Sequence, residues 1–266
     1  MSFCDIVVDA CPRDDTDTTL GYARELAAEF RAKLLVASYA WPRLSIADAL
    51  PPNMFSVQGQ TRSMEDALTA TRKSFDKVFG NSNEVAWHSG IMEPIAALRD
   101  HLMAADLLIT SSSEGDTCVS PDSAELALRS GAPVLRLGQA SVSCRFPKVL
   151  VGWKDCAQAR RAMHGALPLL KRAESIEIVG VGNEVSIDRL EAVATHLRHH
   201  QVKARPCHIP SSEDAVCADL VNYAINKGAT LIIAGVYSRG SLTERVLGGV
   251  TRDMLKSTDI SWFLAH

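Results

Sequence analysis

A chain of 266 residues, 47% hydrophobic and 22% charged, holds one large domain or two of ordinary size and is too apolar for long disorder. Its net charge of −3 leaves no basic excess to neutralise phosphates, which argues against a nucleic-acid partner. The opening Met1-Ser2-Phe3-Cys4-Asp5 lacks a basic and an apolar signal region, and no apolar run approaches the roughly 18 residues that span a membrane. The 7 cysteines are irregularly spaced with no C-x-x-C, which predicts reduced thiols and a cytoplasmic location.

In chain order, Asp5 to Val8 reads as a short buried strand. A helix over Thr18 to Ala32 follows, with Leu20, Ala23, Leu26, Ala27 and Phe30 at helical spacing. Lys33 to Ala40 reads as a strand. The segment 41–62 carries Pro42, Pro51 and Pro52 and is expected to be an irregular excursion. A helix over Ser63 to Phe79, a strand over Glu84 to His88, a helix over Glu93 to Ala104 and a strand over Asp106 to Thr110 come next. Pro121 to Arg129 is expected as a helix and Pro133 to Leu137 as the last strand of the half.

The second half repeats the alternation. Strands are predicted at Lys148–Trp153, Ser175–Val181, Val202–Ile209, Thr230–Gly235 and Ile260–Ala265. Helices are predicted at Ala157–Arg172, Ile187–His200, Asp214–Lys227 and Thr243–Lys256. The pairs Arg160-Arg161 and Lys171-Arg172 fall on a helix and read as a solvated face. The internal likeness is explicit: 32–37 matches 174–179, and 106–110 matches 230–234. Short Val, Ile and Leu runs alternating with helices imply α/β architecture. Two tandem, Rossmann-like open parallel-sheet domains are expected, at 1–139 and 147–266, joined by a polar connector ending at Pro147.

In order, four segments resemble the universal stress protein family in its tandem bacterial form. They are Asp5-Ile6-Val7-Val8 with the helix from Leu20 to Phe30; Lys148 to Asp155 with the helix from Arg160 to Leu170; the glycine segment Leu231 to Arg252; and the terminal 261–266. The likeness covers nearly the whole chain except the 41–62 excursion. It implies that the two halves pack as a pseudo-dimer through the strands at Pro133–Leu137 and Ile260–Ala265. It also implies a stress-response role without enzymatic activity, and a ligand beyond the C-terminal strand ends.

Many members of that family bind ATP through G-x-x-G, nine residues, then G-S or G-T. Such a loop carries a phosphate on backbone N–H groups at a helix N-terminus. Here the first glycine is Gly235, the second position is Ser238, and the closing pair is Gly248-Gly249, with the Thr251 hydroxyl two residues on. Arg239 and Gly240 lie in the same loop, and Arg239 could supply a charge-assisted phosphate contact. Lys154 and Asp155 stand at the first strand–helix turn, where the family often has an aspartate. The adenine would sit around Val179, Gly180 and Val181. The first half has lost the loop: Ser111-Ser112-Ser113-Glu114-Gly115-Asp116 brings acids where a phosphate would lie. Its first turn, with Asp9, Cys11, Asp14 and Asp15, could face water or hold a cation.

His196, His199 and His200 share one predicted helix, with Cys207 and His208 on the next strand. Histidines three apart share a helical face, so a zinc site is geometrically open to them, but they read as a polar helix C-terminus and no metal site is assigned. Cys156 is expected at a helix N-terminus, which can lower a thiol pKa. No G-x-S-x-G or G-x-x-x-x-G-K occurs. Two functional readings lead, and a third, weak nucleotide hydrolysis, ranks last because no credible general base stands beside the loop. In one, the second domain binds ATP or another adenine nucleotide. In the other, the chain is an interaction module acting through a protein partner or another small ligand. A homodimer is compatible with either.

Overall fold

The computed structural model describes residues 2–43, 57–80, 84–113, 118–139, 143–212, 215–236 and 259–266. The chain divides into two compact units, one of residues 3–122 and one of residues 1–2 with 123–266.

The first unit runs β1 (Asp5–Asp9), α1 (Thr16–Phe30), β2 (Lys33–Ala40), α2 (Val57–Phe79), β3 (Ala86–Ile91), α3 (Pro94–Leu102) and β4 (Leu107–Ser111). Its strands lie in the order β3-β2-β1-β4, all parallel. Helices cover both faces of such a sheet, so its strands β1 and β4 carry continuous apolar runs rather than alternating ones: Ile6, Val7, Val8, Leu107, Leu108 and Ile109 are all buried. Helix α1 buries Leu20, Ala23, Leu26, Ala27 and Phe30 along one stripe. It stops at Arg31, which is left-handed with φ 54°, while the Ala32 N–H closes onto the Ala27 carbonyl at 2.9 Å. Helix α3 starts on a double cap, the Glu93 carboxylate accepting from the Ile95 and Ala96 N–H groups at 3.0 and 2.8 Å.

The second unit contains α4 (Ser123–Ser130), β5 (Val134–Leu137), β6 (Lys148–Trp153), α5 (Ala157–Gly165), α6 (Leu167–Leu170) and β7 (Ser175–Val181). A 3-10 turn (Gly182–Glu184), α7 (Ile187–His199), β8 (Arg205–Ile209), α8 (Val216–Lys227), β9 (Leu231–Gly235) and β10 (Ser261–Ala265) complete it. The strand order is β5-β10-β9-β6-β7-β8, parallel except where β5 meets β10. Trp262 and Phe263 on β10 are fully buried.

Three features differ from the sequence reading. Helix α2 begins at Val57 rather than Ser63, because the last proline of the excursion is Pro52 and nothing after it bars a helix. The helix expected over 157–172 is two pieces, since Pro168 has no N–H to continue the ladder. Finally, α4 and β5 belong by sequence to the first repeat but pack with the second unit. Strand β5 pairs antiparallel with β10 through Leu135↔Phe263, the pairing of final strands that the sequence implied. The helix expected over 243–256 lies outside the described residues. Among the described residues, no helix is long and apolar enough to cross a membrane.

Each unit has one point where the chain reverses its winding. Strand β1 sits between β2 and β4, and β6 sits between β7 and β9. The crevice beyond the C-terminal ends of those strands is where open α/β sheets place ligands.

Candidate functional site: two unequal crevices

In the first unit the crevice is occupied by the chain's own side chains. Asp9, the last residue of β1, is completely buried. Its Oδ2 accepts from Arg13 Nη2 at 2.6 Å and from the Thr110 hydroxyl on β4 at 2.7 Å, and its Oδ1 accepts from the Cys11 N–H at 3.0 Å. Arg13 Nε donates to Ser120 Oγ at 3.2 Å. The Arg13 and Asp9 side chains are 2% and 0% exposed. Burial alone would push the Asp9 carboxyl up. The Arg13 charge, with hydrogen bonds from Cys11, Thr110 and Arg13, outweighs it and holds the group below its ordinary value of 3.8. Burial first, then the Asp9 charge, push the Cys11 thiol well above 9.0, so it is an inert neutral group.

Asp15 stands at the N-cap position of α1 but does not cap it. Its Oδ2 instead accepts from Ser111 Oγ and, at 2.8 Å, from Ser113 Oγ, tying the turn after β1 to the loop after β4. The start of the excursion lies over the same loop: Pro42 bridges to Cys118, and the Val119 N–H donates to the Trp41 carbonyl at 2.9 Å. Asp9 and Cys11 are therefore buried rather than facing water, and Ser111 and Ser113 are bound to Asp15. A phosphate entering here would displace an ion pair and meet two carboxylates. Arg13, which neutralises the cluster, escaped the sequence reading because no motif marks a lone arginine in a turn. A groove of about 1110 Å³ lined by Arg24, Arg31, Lys33 and His101 also lies in this unit, and no predicted site residue lines it.

The second unit has different residues at the equivalent places. Strands β1 and β4 pair through Ile6↔Leu107, and β6 and β9 through Val149↔Leu231. Three residues further along each strand, Asp9 corresponds to Gly152 and Thr110 to Ala234. Neither replacement carries charge or a hydrogen-bonding side chain. Beyond them, Lys154 Nζ pairs with Glu184 Oε2 at 2.5 Å, and Asp155 accepts from Arg189 at 2.9 Å and from Trp153 Nε1 at 2.9 Å. All of these groups are partly open to solvent, so the mouth of the crevice is polar and its floor is apolar. Val179 and Val181 on β7 have buried side chains, and Gly180 between them abuts Leu190.

Gly235, the first glycine of the predicted loop, ends β9 directly against the N-terminus of α5. A Cβ there would collide with the Ala159 nitrogen and lie 2.5 Å from the Gln158 carbonyl carbon. This glycine is thus required by strand–helix packing whether or not a phosphate is bound. Cys156 caps α5, its Sγ accepting from the Ala159 N–H at 3.5 Å. Ser238, Arg239, Gly240, Gly248, Gly249 and Thr251 lie outside the described residues. Of the residues weighed as metal ligands, Cys207 Sγ contacts Tyr223 Oη at 3.0 Å and His208 Nε2 contacts the Gly182 carbonyl at 2.6 Å, so both are engaged away from His196 and His200.

Two units of mostly parallel, helix-flanked strands, each with a switch-point crevice, define a tandem α/β protein. Solved structures of the same architecture agree across the whole length. A universal stress protein from Archaeoglobus fulgidus is 14% identical, with a TM-score of 0.73 over 98% of this chain and 97% of that one. A candidate universal stress protein from Pseudomonas aeruginosa is 14% identical, with a TM-score of 0.60 over 99% of this chain and 93% of that one. A functionally unknown protein from the same species is 13% identical, also at 0.60, over 99% and 92%. The chain therefore has the universal stress protein fold in its tandem form. No protein-family model matches the sequence, and no curated protein does.

Proposed function

We propose that this chain is a non-catalytic, cytoplasmic stress-response protein that binds an adenine nucleotide, ATP foremost, in its second unit alone. One observation carries the reading: Gly152 and Ala234 stand where Asp9 and Thr110 fill the first crevice. A buried carboxylate repels a phosphate, whereas an apolar floor accepts a planar base. Lys154 at the mouth, paired with Glu184, would exchange that partner for a phosphate, and the glycine loop with Ser238, Arg239, Gly240, Gly248, Gly249 and Thr251 would supply backbone donors. The first unit, its crevice closed by Asp9 and Arg13, would act through its surface, as an interaction module with a protein partner or a second copy of the chain.

Thermal unfolding with nucleotide tests the proposal. A ligand at 100 times its Kd stabilises by about 2.7 kcal/mol, a readable rise in Tm. ATP should produce it, and Gly248→Val should abolish it. Absence of any rise with ATP, ADP and AMP would leave the interaction-module reading in its place.

A further inference from the structure

Three histidines from two helices of the second unit converge away from the crevice. His164 lies in the last turn of α5, and His196 and His200 lie one turn apart at the end of α7. One ring nitrogen from each falls within 4.8 Å of the other two. The His164 and His196 Nε2 atoms are 3.1 Å apart. Ring centroids are separated by 5.1 Å for His164–His196, 5.6 Å for His164–His200 and 4.9 Å for His196–His200. Tetrahedral zinc with Zn–N bonds of about 2.0–2.1 Å needs nitrogens about 3.3 Å apart. The closest pair already meets that spacing, and small ring rotations bring in the third.

We infer that His164, His196 and His200 form a divalent transition-metal site of the imidazole-binding class, with zinc as its natural test ion. Three imidazoles on two rigid helices leave the fourth tetrahedral position for water or an incoming ligand. Both helices present their C-terminal ends here, whose dipoles favour a cation. The bound ion would pin α5 to α7. Arg160, one turn before His164 and exposed, is the group that opposes a cation; its flexible stem can swing the guanidinium into water. Cys156 at the crevice end of α5 is eight residues from His164, about 12 Å along the helix at 1.5 Å per residue. The site is thus separate from the nucleotide proposal and stands without it.

Spacing along the chain cannot reveal this trio. His196 and His200 stand on one helix with His199, but the third nitrogen that converges with theirs comes from His164 on a different helix. The test is calorimetric titration of Zn²⁺ into the full, tag-free chain. One ion per chain should bind, and His164→Gln or His196→Gln should each weaken binding more than ~10-fold, the least that perturbing a metal site's support costs. His199→Gln should leave the affinity within about twofold of wild type. Arg160→Ala should tighten it. In histidine-ring NMR, zinc should shift the signals of His164, His196 and His200 and leave those of His88, His101, His199, His208 and His266 in place. No saturable binding, equal binding by His196→Gln, or a loss on His199→Gln as large as on His196→Gln would overturn the assignment.

Discussion

Arg13 and Asp9, one helical turn apart in sequence, form an ion pair at 2.6 Å with 2% and 0% of their side chains exposed. The pair sits where an open α/β sheet would otherwise receive a ligand. Thr110 and the Cys11 N–H donate to Asp9, and Ser120 accepts from Arg13, adding three hydrogen bonds to the pair.

Truncating one partner of this pair should be severe. Arg13→Leu leaves the Asp9 carboxylate buried and unpaired, and should lower stability by about 3–5 kcal/mol. The double replacement Asp9→Leu with Arg13→Leu removes both charges and should recover much of the loss. Urea unfolding followed by circular dichroism checks this. Equal destabilisation by the single and double variants would show that the pair is not coupled as described.

The acid limb of stability carries the same signature. The folded Asp9 carboxyl titrates below 3.8, its ordinary value, so between the two values the unfolded chain binds a proton that the folded chain does not. In that window stability rises with pH. The contribution is complete above the unfolded value and is lost as pH falls through the folded one. Wild type minus Asp9→Asn should therefore be constant above about pH 5 and shrink steadily below pH 3.8. A difference that stays flat down to pH 2 would contradict the ion-pair account.

Gly235 is asked to fit before it is asked to bind. Gly235→Ala places a Cβ against backbone atoms of Gln158 and Ala159 and should destabilise the nucleotide-free protein by about 1–3 kcal/mol. At Gly180 the nearest atom to an added Cβ is the mobile Leu190 Cδ1, at 3.0 Å, so Gly180→Ala should cost less. Melting temperatures of the two variants, measured without nucleotide, rank them. The reverse order would mean that α5 is held off β9.

Much of this architecture was legible in the sequence for a simple reason. Runs such as Ile6-Val7-Val8 and Leu231-Ile232-Ile233 can be satisfied only inside a sheet covered on both faces, and their alternation with Leu and Ala stripes sets the α/β order. The site was less legible. Gly235 looks like a phosphate-loop glycine, yet the contact that demands it comes from Gln158 and Ala159, far away in the chain. Asp9 reads in sequence as facing water or holding a cation, because Thr110 comes to it from β4, 101 residues away, and no motif marks Arg13 as its counter-ion. The histidine trio is hidden in the same way, since His164 and His196 meet only through the packing of two helices.

The asymmetry of the two crevices is tested most directly by counting nucleotides. Isothermal titration of ATP into the intact chain should return one site per chain, lost in Gly248→Val, because among the described residues the second unit has no buried carboxylate at its switch point. Two sites per chain, or one site that survives Gly248→Val, would contradict the account.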